Sequence, residues 1–215
     1  MSLMKEFSVE CARTLVLIAI AICFFACSNA QDRRSDANVA QVQRKVLIVY
    51  LSRTNNTKAV AEFIHDEVGG MLVPIELVRP YPDDYRATVD QVARENETDY
   101  FPPLKTKIER IEQYDVVFIG FPTWGMQLPP PMKSFLKEYN LKGKTVVPFN
   151  TNAGYGVGSS FATVKELCPD SNVLEGFTTT GGIERDGIYL AIKDERAGEV
   201  RSHVRDWLRR IEALS

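Results

Sequence analysis

The sequence predicts an α/β fold in which a parallel β-sheet carries helices on both faces. Five short apolar runs rich in β-branched residues alternate along the chain with helical patterns. The run at 115–121, DVVFIGF, is apolar after its first residue, which is typical of a central parallel strand buried on both faces. Strands that alternate with helices in this way form a doubly wound parallel sheet.

The composition is that of an ordinary globular protein with no strong charge bias. The chain has 215 residues, enough for one domain with a full hydrophobic core, and we find no internal repeat and no second domain. The formal net charge is −2. Because a nucleic-acid-binding domain usually carries a basic excess, we expect no nucleic-acid partner.

The first 43 residues differ in character from the rest of the chain. Residues 15–26 form an uncharged apolar run that is short for a membrane-spanning helix, and Cys27 follows directly. This arrangement resembles the signal peptide of a bacterial lipoprotein, with residues 1–26 removed and Cys27 lipidated. An uncleaved N-terminal anchor and an ordinary secretory signal are the alternatives. Residues 27–43 are then expected to be a flexible tether, and residues 44–215 the domain of an exported, cell-envelope lipoprotein anchored to a bacterial membrane.

Cysteine and histidine usage argues against disulfide and metal chemistry. After cleavage before Cys27, only that residue and Cys168 remain, so no intramolecular disulfide is expected once Cys27 carries lipid. His65 and His203 lie far apart in the sequence. We therefore expect no transition-metal site built by the protein.

Periodicity and breaker residues predict the individual elements of the domain. The final helix has an apolar stripe of Val200, Val204, Trp207, Leu208, Ile211 and Leu214, and Ser159 is the predicted cap of the helix before it. We predict strands at 46–51, 71–78, 115–121, 145–149 and 172–177, and helices from Lys58, around 87–93, and at 105–113, 130–139, 159–167 and about 199–214.

The first candidate binding loop is 52–57, with the sequence SRTNNT. It joins a buried strand to a helix and contains only hydroxyl, amide and guanidinium side chains. Free backbone N–H groups and the positive end of a helix dipole favour an anion at such a loop, which predicts a phosphate site. The alternative is a plain helix N-cap at Asn56 or Thr57, because caps favour the same residue types.

Two further loops follow the third and fourth predicted strands. They are 122–126, PTWGM, and 150–158, NTNAGYGVG. Ligands of open α/β sheets bind beyond the carboxyl ends of the strands, where these loops lie. Trp124 and Tyr155 each stand beside glycine, which suggests a flat aromatic ligand stacked on them; a hydrophobic lid over the sheet edge is the alternative.

Together these loops resemble those of the flavodoxins, small bacterial FMN proteins. The resemblance covers residues 45 to about 213. It includes the segment 81–103, which begins YPDDY, the segment 114–125, which ends FPTWG, and Phe135-Leu136 in the proline-led helix that follows.

The resemblance implies a strand order of 2-1-3-4-5 and FMN as cofactor. It places Ser52, Thr54, Asn56 and Thr57 at the FMN phosphate, with Asn55 where glycine is common, and leaves Arg53 either paired with the phosphate or turned to solvent. Trp124 would flank the flavin ring, and the Gly125 carbonyl would face flavin N5. The implied cofactor-binding residues are Ser52, Arg53, Thr54, Asn55, Asn56, Thr57, Pro122, Thr123, Trp124, Gly125, Asn150, Thr151, Asn152, Ala153, Gly154 and Tyr155.

Three functions are compatible with this reading. The first is an electron-transfer flavoprotein that passes electrons to or from a redox partner protein or small acceptor. The second is an NAD(P)H-dependent FMN reductase of quinones or similar compounds, and the third is a non-redox binding module on the same fold. No catalytic residue of the chain itself is predicted, because the redox chemistry would belong to the cofactor.

Overall fold

The computed structural model describes residues 44–212, which form a parallel β-sheet covered by helices on both faces. The strand order is β2-β1-β3-β4-β5, which confirms the predicted order, and every pairing along this path is parallel. The strands are β1 (Val46–Tyr50), β2 (Met71–Pro74), β3 (Val116–Pro122), β4 (Thr145–Asn152), β5 (Asn172–Val173) and β6 (Phe177–Thr180).

Five α-helices and two short 3₁₀ helices lie within the described residues, and no helix there is long and apolar enough to cross a bilayer. The predicted signal, Cys27, the tether and Leu214 fall outside the described residues. The α-helices are α1 (Asn56–Val68), α2 (Tyr85–Glu97), α3 (Pro130–Glu138), α4 (Ser160–Leu167) and α5 (Asp194–Ile211); the 3₁₀ helices are Ile111–Gln113 and Glu184–Asp186.

The side chains of each central strand alternate between two hydrophobic cores. Leu47 and Val49 of β1 face a core that contains residues of α3 and α4. Ile48 and Tyr50 face a second core that contains residues of α1 and α5, with Trp207 almost fully buried in it. Because successive strand residues point to opposite faces, a strand that is apolar throughout must be covered on both sides.

The edge strand beside β4 is divided in two, so the predicted single strand at 172–177 is wrong in detail. Thr145 pairs with Asn172, whereas Phe149 pairs with Phe177, so the edge strand holds one extra residue between the two pairings. One extra residue on one side of a ladder is a bulge, and it interrupts the regular pairing. The edge strand therefore extends the sheet as β5 and β6 while keeping its place in the order.

The second predicted strand is too long, and the predicted helix at 105–113 is largely absent. Beyond Pro74, the chain leaves β1 and forms an antiparallel bridge between Leu77 and Leu104. The amides of Lys105 and Thr106 donate to the Glu76 carbonyl. These two amides bond to a distant segment rather than within a helix, and in this region only the 3₁₀ helix at Ile111–Gln113 forms.

Two helix starts and one predicted cap also differ from the prediction, and the first of these is α1, which begins at Asn56 rather than Lys58. Helix α5 begins at Asp194, five residues before the predicted start. The prediction missed this first part because it carries no residue of the apolar stripe and contains Gly198, which the helix accommodates. Ser159 does not cap α4 with its side chain. Its amide and hydroxyl instead donate to the Met126 carbonyl at 2.9 and 3.4 Å.

Candidate cofactor-binding site

The loop after β1 turns the chain directly into helix α1. Asn55 adopts the left-handed conformation, with φ 65°, which asparagine tolerates better than most residues. It occupies the N-cap position without a side-chain cap bond, so the predicted alternative of a cap at Asn56 or Thr57 is wrong. The Ser52 hydroxyl instead accepts from the Lys58 amide at 3.2 Å. The first amides of α1 have no acceptor within the helix and lie at the positive end of its dipole.

Hydroxyl groups from two loops meet beside this helix terminus. The hydroxyl oxygens of Thr57 and Thr151 lie 2.8 Å apart and share one hydrogen bond, and both residues are buried. Thr54 accepts from the Asn56 side-chain amide at 2.9 Å. Two hydroxyls that share one bond still have one O–H between them to donate, so this pair can serve an anion in the adjoining space.

The side chain of Arg53 is held by protein partners rather than turned to solvent, which excludes one of the two arrangements left open by the sequence. Its Nε donates to both carboxylate oxygens of Glu184, at 2.7 and 2.9 Å. Its terminal nitrogens donate to the carbonyls of Pro82 and Asp83 at 2.9 and 2.6 Å. The guanidinium therefore joins three loops around the site, and its charge is balanced by Glu184.

The side chain of Asn56 holds the segment that precedes α5. Its oxygen accepts from the amides of Ala191 and Ile192 at 2.9 and 3.1 Å, and its NH₂ group donates to the Tyr189 carbonyl at 2.6 Å. The residue is 3% exposed. Asn56 therefore fixes the start of α1 to the segment 189–192, and its assignment as a phosphate ligand stays a prediction.

Trp124 begins a tight two-residue turn after β3. Trp124 and Gln127 exchange backbone hydrogen bonds of 3.3 and 3.0 Å across Gly125 and Met126, which have φ 56° and 60°. Positive φ at both central residues defines a type I′ turn. The turn contacts the next loop at Gly158. A Cβ added to Gly158 would lie 2.0 Å from the Met126 carbonyl oxygen, so the close approach requires glycine there.

Trp124 packs against Tyr81, whose hydroxyl bonds to the buried carboxylate of Glu95. The ring of Tyr81 meets the indole edge to face, with centroids 5.3 Å apart. Its hydroxyl donates to Glu95, which also accepts from Gln91 and is 6% exposed. Burial, followed by the hydrogen bond to Glu95, raises the pKa of Tyr81 above its ordinary value. Tyr81 is therefore a neutral donor near pH 7, and its bond to Glu95 fixes the ring that contacts Trp124.

The loop after β4 is organised by two asparagines. Asn150 is fully buried and donates to the Phe121 carbonyl and the Thr123 hydroxyl, both at 3.0 Å. The Asn152 side-chain oxygen accepts from the amides of Gly154 and Gly156 at 2.9 and 3.1 Å. These bonds shape the loop from within, whereas Tyr155 is 67% exposed at its tip.

Three cavities at this edge of the sheet share Arg53 and Trp124, and one of them, about 440 Å³, is also lined by Ser52, Tyr81 and Lys105. The other two adjoin each other. We name the smaller one, about 120 Å³, the hydroxyl cavity, because threonines from three loops line it. We name the larger one, about 390 Å³, the helix cavity, because α2 forms one wall of it. Both are lined by Arg53, Tyr85, Thr123, Trp124 and Glu184, so they meet at Trp124.

The structure brings most of the predicted site residues together. Gly125 lines only the helix cavity. Five predicted residues lie in the same loops but line neither of these two cavities: Ser52, Asn55, Asn150, Gly154 and Tyr155. The predicted residues that line the hydroxyl cavity are Arg53, Thr54, Asn56, Thr57, Pro122, Thr123, Trp124, Thr151, Asn152 and Ala153.

Four residues of the hydroxyl cavity were missed by sequence reasoning, as was the wall that α2 contributes to the helix cavity. Gly181, Gly182 and Glu184 follow β6, and Tyr85 begins α2. The rule that ligands bind beyond the carboxyl ends of strands applies equally to the Thr180-Gly181-Gly182 segment and could have identified it. Within residues 44–212, no group of three or more His, Cys, Asp or Glu side chains is arranged to hold a metal ion.

Comparison with known proteins identifies the family. The flavodoxin family model matches residues 45–193, and the chain belongs to this family. A comparison with curated proteins finds no match.

Solved structures agree with the family assignment. A Bacteroides eggerthii protein assigned to the flavoproteins is 34% identical, with a TM-score of 0.64, and the match covers 79% of this chain and 98% of that one. A similarly assigned Bacteroides uniformis protein shares the fold at 23% identity and a TM-score of 0.63, over 77% and 98%. A Lactobacillus acidophilus flavoprotein solved in complex with FMN is 27% identical, with a TM-score of 0.57, over 63% and 92%.

Proposed function

We propose that this domain binds FMN, with the phosphate in the hydroxyl cavity and the flavin ring at Trp124, and transfers electrons through the flavin. The observation that carries the proposal is the meeting of four strand-end loops at one cavity, which is lined by hydroxyls and by an indole. The FMN complex of the related Lactobacillus acidophilus flavoprotein supports the choice of cofactor. Bound FMN would supply one- and two-electron transfer chemistry.

The donors at the phosphate end fit a phosphate without a charged partner. Thr54, Thr57 and Thr151 line the hydroxyl cavity beside the first amides of α1. Arg53 is held by Glu184 and two carbonyls, so we assign it to shaping the loop rather than to binding the phosphate. Neutral hydroxyl and amide donors at a helix terminus are sufficient to bind a phosphate.

Of the possible roles, we favour an electron carrier over an NAD(P)H-dependent reductase. Among the described residues that line either cavity, Arg53 is the only cation, and its charge is already balanced by Glu184. A nicotinamide dinucleotide carries a diphosphate, which is usually held by cations or by a helix terminus. The start of α1 is assigned to the FMN phosphate, and the start of α2 at Tyr85 is already capped by the Asp84 side chain, which accepts from the Ala87 amide at 2.7 Å.

One purification tests both the cofactor and the role. We expect full-length protein, isolated in mild detergent, to show a flavin absorbance spectrum and to oxidise NADPH only when a separate reductase is added. Protein that stays colourless after incubation with FMN would contradict FMN binding. Sustained NADPH oxidation by the purified protein alone would favour the reductase.

We also propose that the domain is tethered to a membrane through a lipid on Cys27. The proposal rests on the apolar run at 15–26 directly before this cysteine. Replacing Cys27 with Ala should move the protein from the membrane fraction to the soluble fraction, as measured by immunoblot. A wild-type protein that is soluble with residues 1–26 intact would contradict the tether.

A further inference from the structure

The hydroxyl cavity is too small to hold a whole FMN molecule. Its volume of about 120 Å³ lies below the range of about 300–1,000 Å³ that is usual for small-molecule sites, whereas the helix cavity, at about 390 Å³, lies within it. The third cavity shares only Arg53 and Trp124 with the hydroxyl cavity. The helix cavity also shares Tyr85, Thr123 and Glu184 with it. The longer shared wall favours the helix cavity as the space for the flavin ring of the proposed complex.

One lysine is linked to the helix cavity by two side-chain amides. The Lys133 ammonium donates to the side-chain oxygens of Asn96 and Gln127 at 3.0 and 3.5 Å. Asn96 and Gln127 line the cavity, whereas Lys133 does not. An ammonium has no acceptor, so this contact fixes which way both amides face. Within residues 44–212 neither NH₂ group has a protein acceptor, so both are free to donate to a ligand.

Lys133 also brings a positive charge to this end of the cavity. It is half-buried, and within residues 44–212 no carboxylate forms an ion pair with it, whereas Arg53 is paired with Glu184. Glu97 lines the cavity but is exposed, so water screens its charge more strongly than that of the half-buried ammonium. Whatever the other charges contribute, Lys133 stabilises any ligand group that becomes negative in this cavity.

We propose that Lys133 is a positioning residue of the flavin site, which orients the amides of Asn96 and Gln127 toward the ring and stabilises the negative charge that the ring gains on full reduction. This rests on the proposed function. Full reduction adds two electrons from a redox partner and one proton from solvent, so the ring gains one negative charge. A nearby positive charge favours the charged form, and hydrogen bonds to a charged acceptor are stronger. Both effects raise the midpoint potential of the second one-electron step.

The test measures both midpoint potentials of full-length, FMN-loaded protein in mild detergent by spectroelectrochemical titration. Lys133→Gln removes the charge but keeps an NH₂ donor for the oxygens of Asn96 and Gln127. The preference for the fully reduced flavin should fall by about 3- to 10-fold, which lowers the potential of the second step by about 30 to 60 mV. Wild-type potentials in this variant would overturn the proposal.

Two further lysine variants separate the charge from packing. Lys133→Arg keeps a positive charge and N–H donors, so it should keep the wild-type potential. Lys137→Gln makes the same charge change one turn further along α3, where the exposed ammonium lies 3.5 Å from the centroid of the Phe101 ring and lines neither cavity. It should leave the potential as it is. A fall in Lys133→Arg or Lys137→Gln equal to that in Lys133→Gln would assign the effect to packing or to net charge, and either result would overturn the proposal.

Gln127→Glu tests the amide separately and is informative if Lys133→Gln does not fold. It replaces the NH₂ donor with an oxygen and places a carboxylate beside the Lys133 ammonium, so it should lower the potential of the same step. Asn140→Asp adds the same charge at an exposed position outside both cavities, and it should have a much smaller effect. A potential in Gln127→Glu equal to that of this control would overturn the proposal.

The affinity for oxidised FMN separates this inference from the proposed function. The oxidised ring is neutral, so Lys133→Gln should bind FMN nearly as tightly as the wild type, as measured by quenching of flavin fluorescence. If the wild type binds FMN but Lys133→Gln weakens every redox state equally, the potentials stay unchanged, and only this inference fails. If the wild type binds no FMN, the proposed function fails, and this inference with it.

Discussion

The hydroxyl cavity and the helix cavity share Trp124 but are built from different parts of the sequence. The hydroxyl cavity is formed by loops at the carboxyl ends of β1, β3, β4 and β6, and its donors are hydroxyls and amides. The helix cavity depends on α2, which presents Val89, Val92 and Ala93. One cavity is therefore set by the sheet topology, and the other by a helix packed beside it.

This difference separates two kinds of specificity. Every strand of a parallel sheet must end at the same edge, so a site there follows from the fold itself. The helix cavity depends on where one helix packs, and on the amide orientation that Lys133 fixes. We therefore expect the hydroxyl cavity to determine phosphate binding, whereas the shape of the helix cavity depends on the packing of α2.

The largest effect is expected from removing hydroxyls at the phosphate end. In a double variant with Thr54→Val and Thr57→Val, each lost hydrogen bond to a charged group costs about 1.5–3 kcal/mol, or roughly one to two decades in affinity. Titration with FMN and with riboflavin, followed by flavin fluorescence, should show FMN affinity falling by at least tenfold and riboflavin affinity much less. Equal loss of both ligands, or of neither, would argue against a phosphate role.

A loss of stability is expected from Asn56→Asp. The carboxylate can still accept from the amides of Ala191 and Ile192, but it cannot donate to the Tyr189 carbonyl, which it would face. An unsatisfied buried group costs about 1–3 kcal/mol, so the free energy of unfolding in urea should fall by that amount. Asn140→Asp, at an exposed position, is the matched control. A stability equal to that of the control would contradict the holding role of Asn56.

A smaller effect on affinity, but a distinct one on potential, is expected from Trp124→Ala. Loss of an aromatic pair costs about 1 kcal/mol beyond the buried area, or roughly fivefold in FMN affinity. An electron-rich indole stacks less favourably on the fully reduced, anionic flavin. The variant should therefore raise the midpoint potential of the second one-electron step.

Trp207→Phe is the control for this measurement, because Trp207 is a buried core residue of α5 and lines neither cavity. It should change thermal stability and leave both potentials as they are. If Trp124→Ala folds, binds FMN and keeps wild-type potentials in a spectroelectrochemical titration, the stacking assignment is wrong.

The smallest expected effect is a pH dependence that originates at Tyr81. Its pKa is raised in the folded protein, so its contribution to stability is complete below the unfolded pKa of about 10 and is lost as pH rises toward the folded value. Urea unfolding at a series of pH values from 8 to about 11 should show this decline. Tyr81→Phe should remove that part of the decline, and Tyr189→Phe, at an exposed position, should not. A decline that persists unchanged in Tyr81→Phe would refute this assignment.

The sheet and the strand-end loops could be predicted because their signals are local. Runs such as 46–51 and 115–121 are apolar throughout, and each is followed by a loop of distinctive composition. The edge strand could not be predicted in detail, because its bulge depends on register with β4. The segment 105–113 failed for a similar reason, since its amides bond to Glu76, which is distant in sequence.

The roles of individual site residues were harder to predict than their positions. Arg53 lies in the predicted loop, but its partner Glu184 is 131 residues away and was not recognised. Asn56 is polar and near the helix terminus, as a phosphate ligand would be, yet its side chain bonds to the segment 189–192. A residue type identifies what a side chain can bind, whereas the long-range packing decides which partner it finds.

The central claim is that one FMN molecule places its phosphate in the hydroxyl cavity and its ring at Trp124. Amide and indole N–H signals in two-dimensional NMR of ¹⁵N-labelled protein test it directly, with three ligands compared. Inorganic phosphate should shift the amides of Asn56 and Thr57 alone, lumiflavin, which has no phosphate, should shift the Trp124 indole alone, and FMN should shift all three. FMN-induced shifts confined to other parts of the domain would contradict the account.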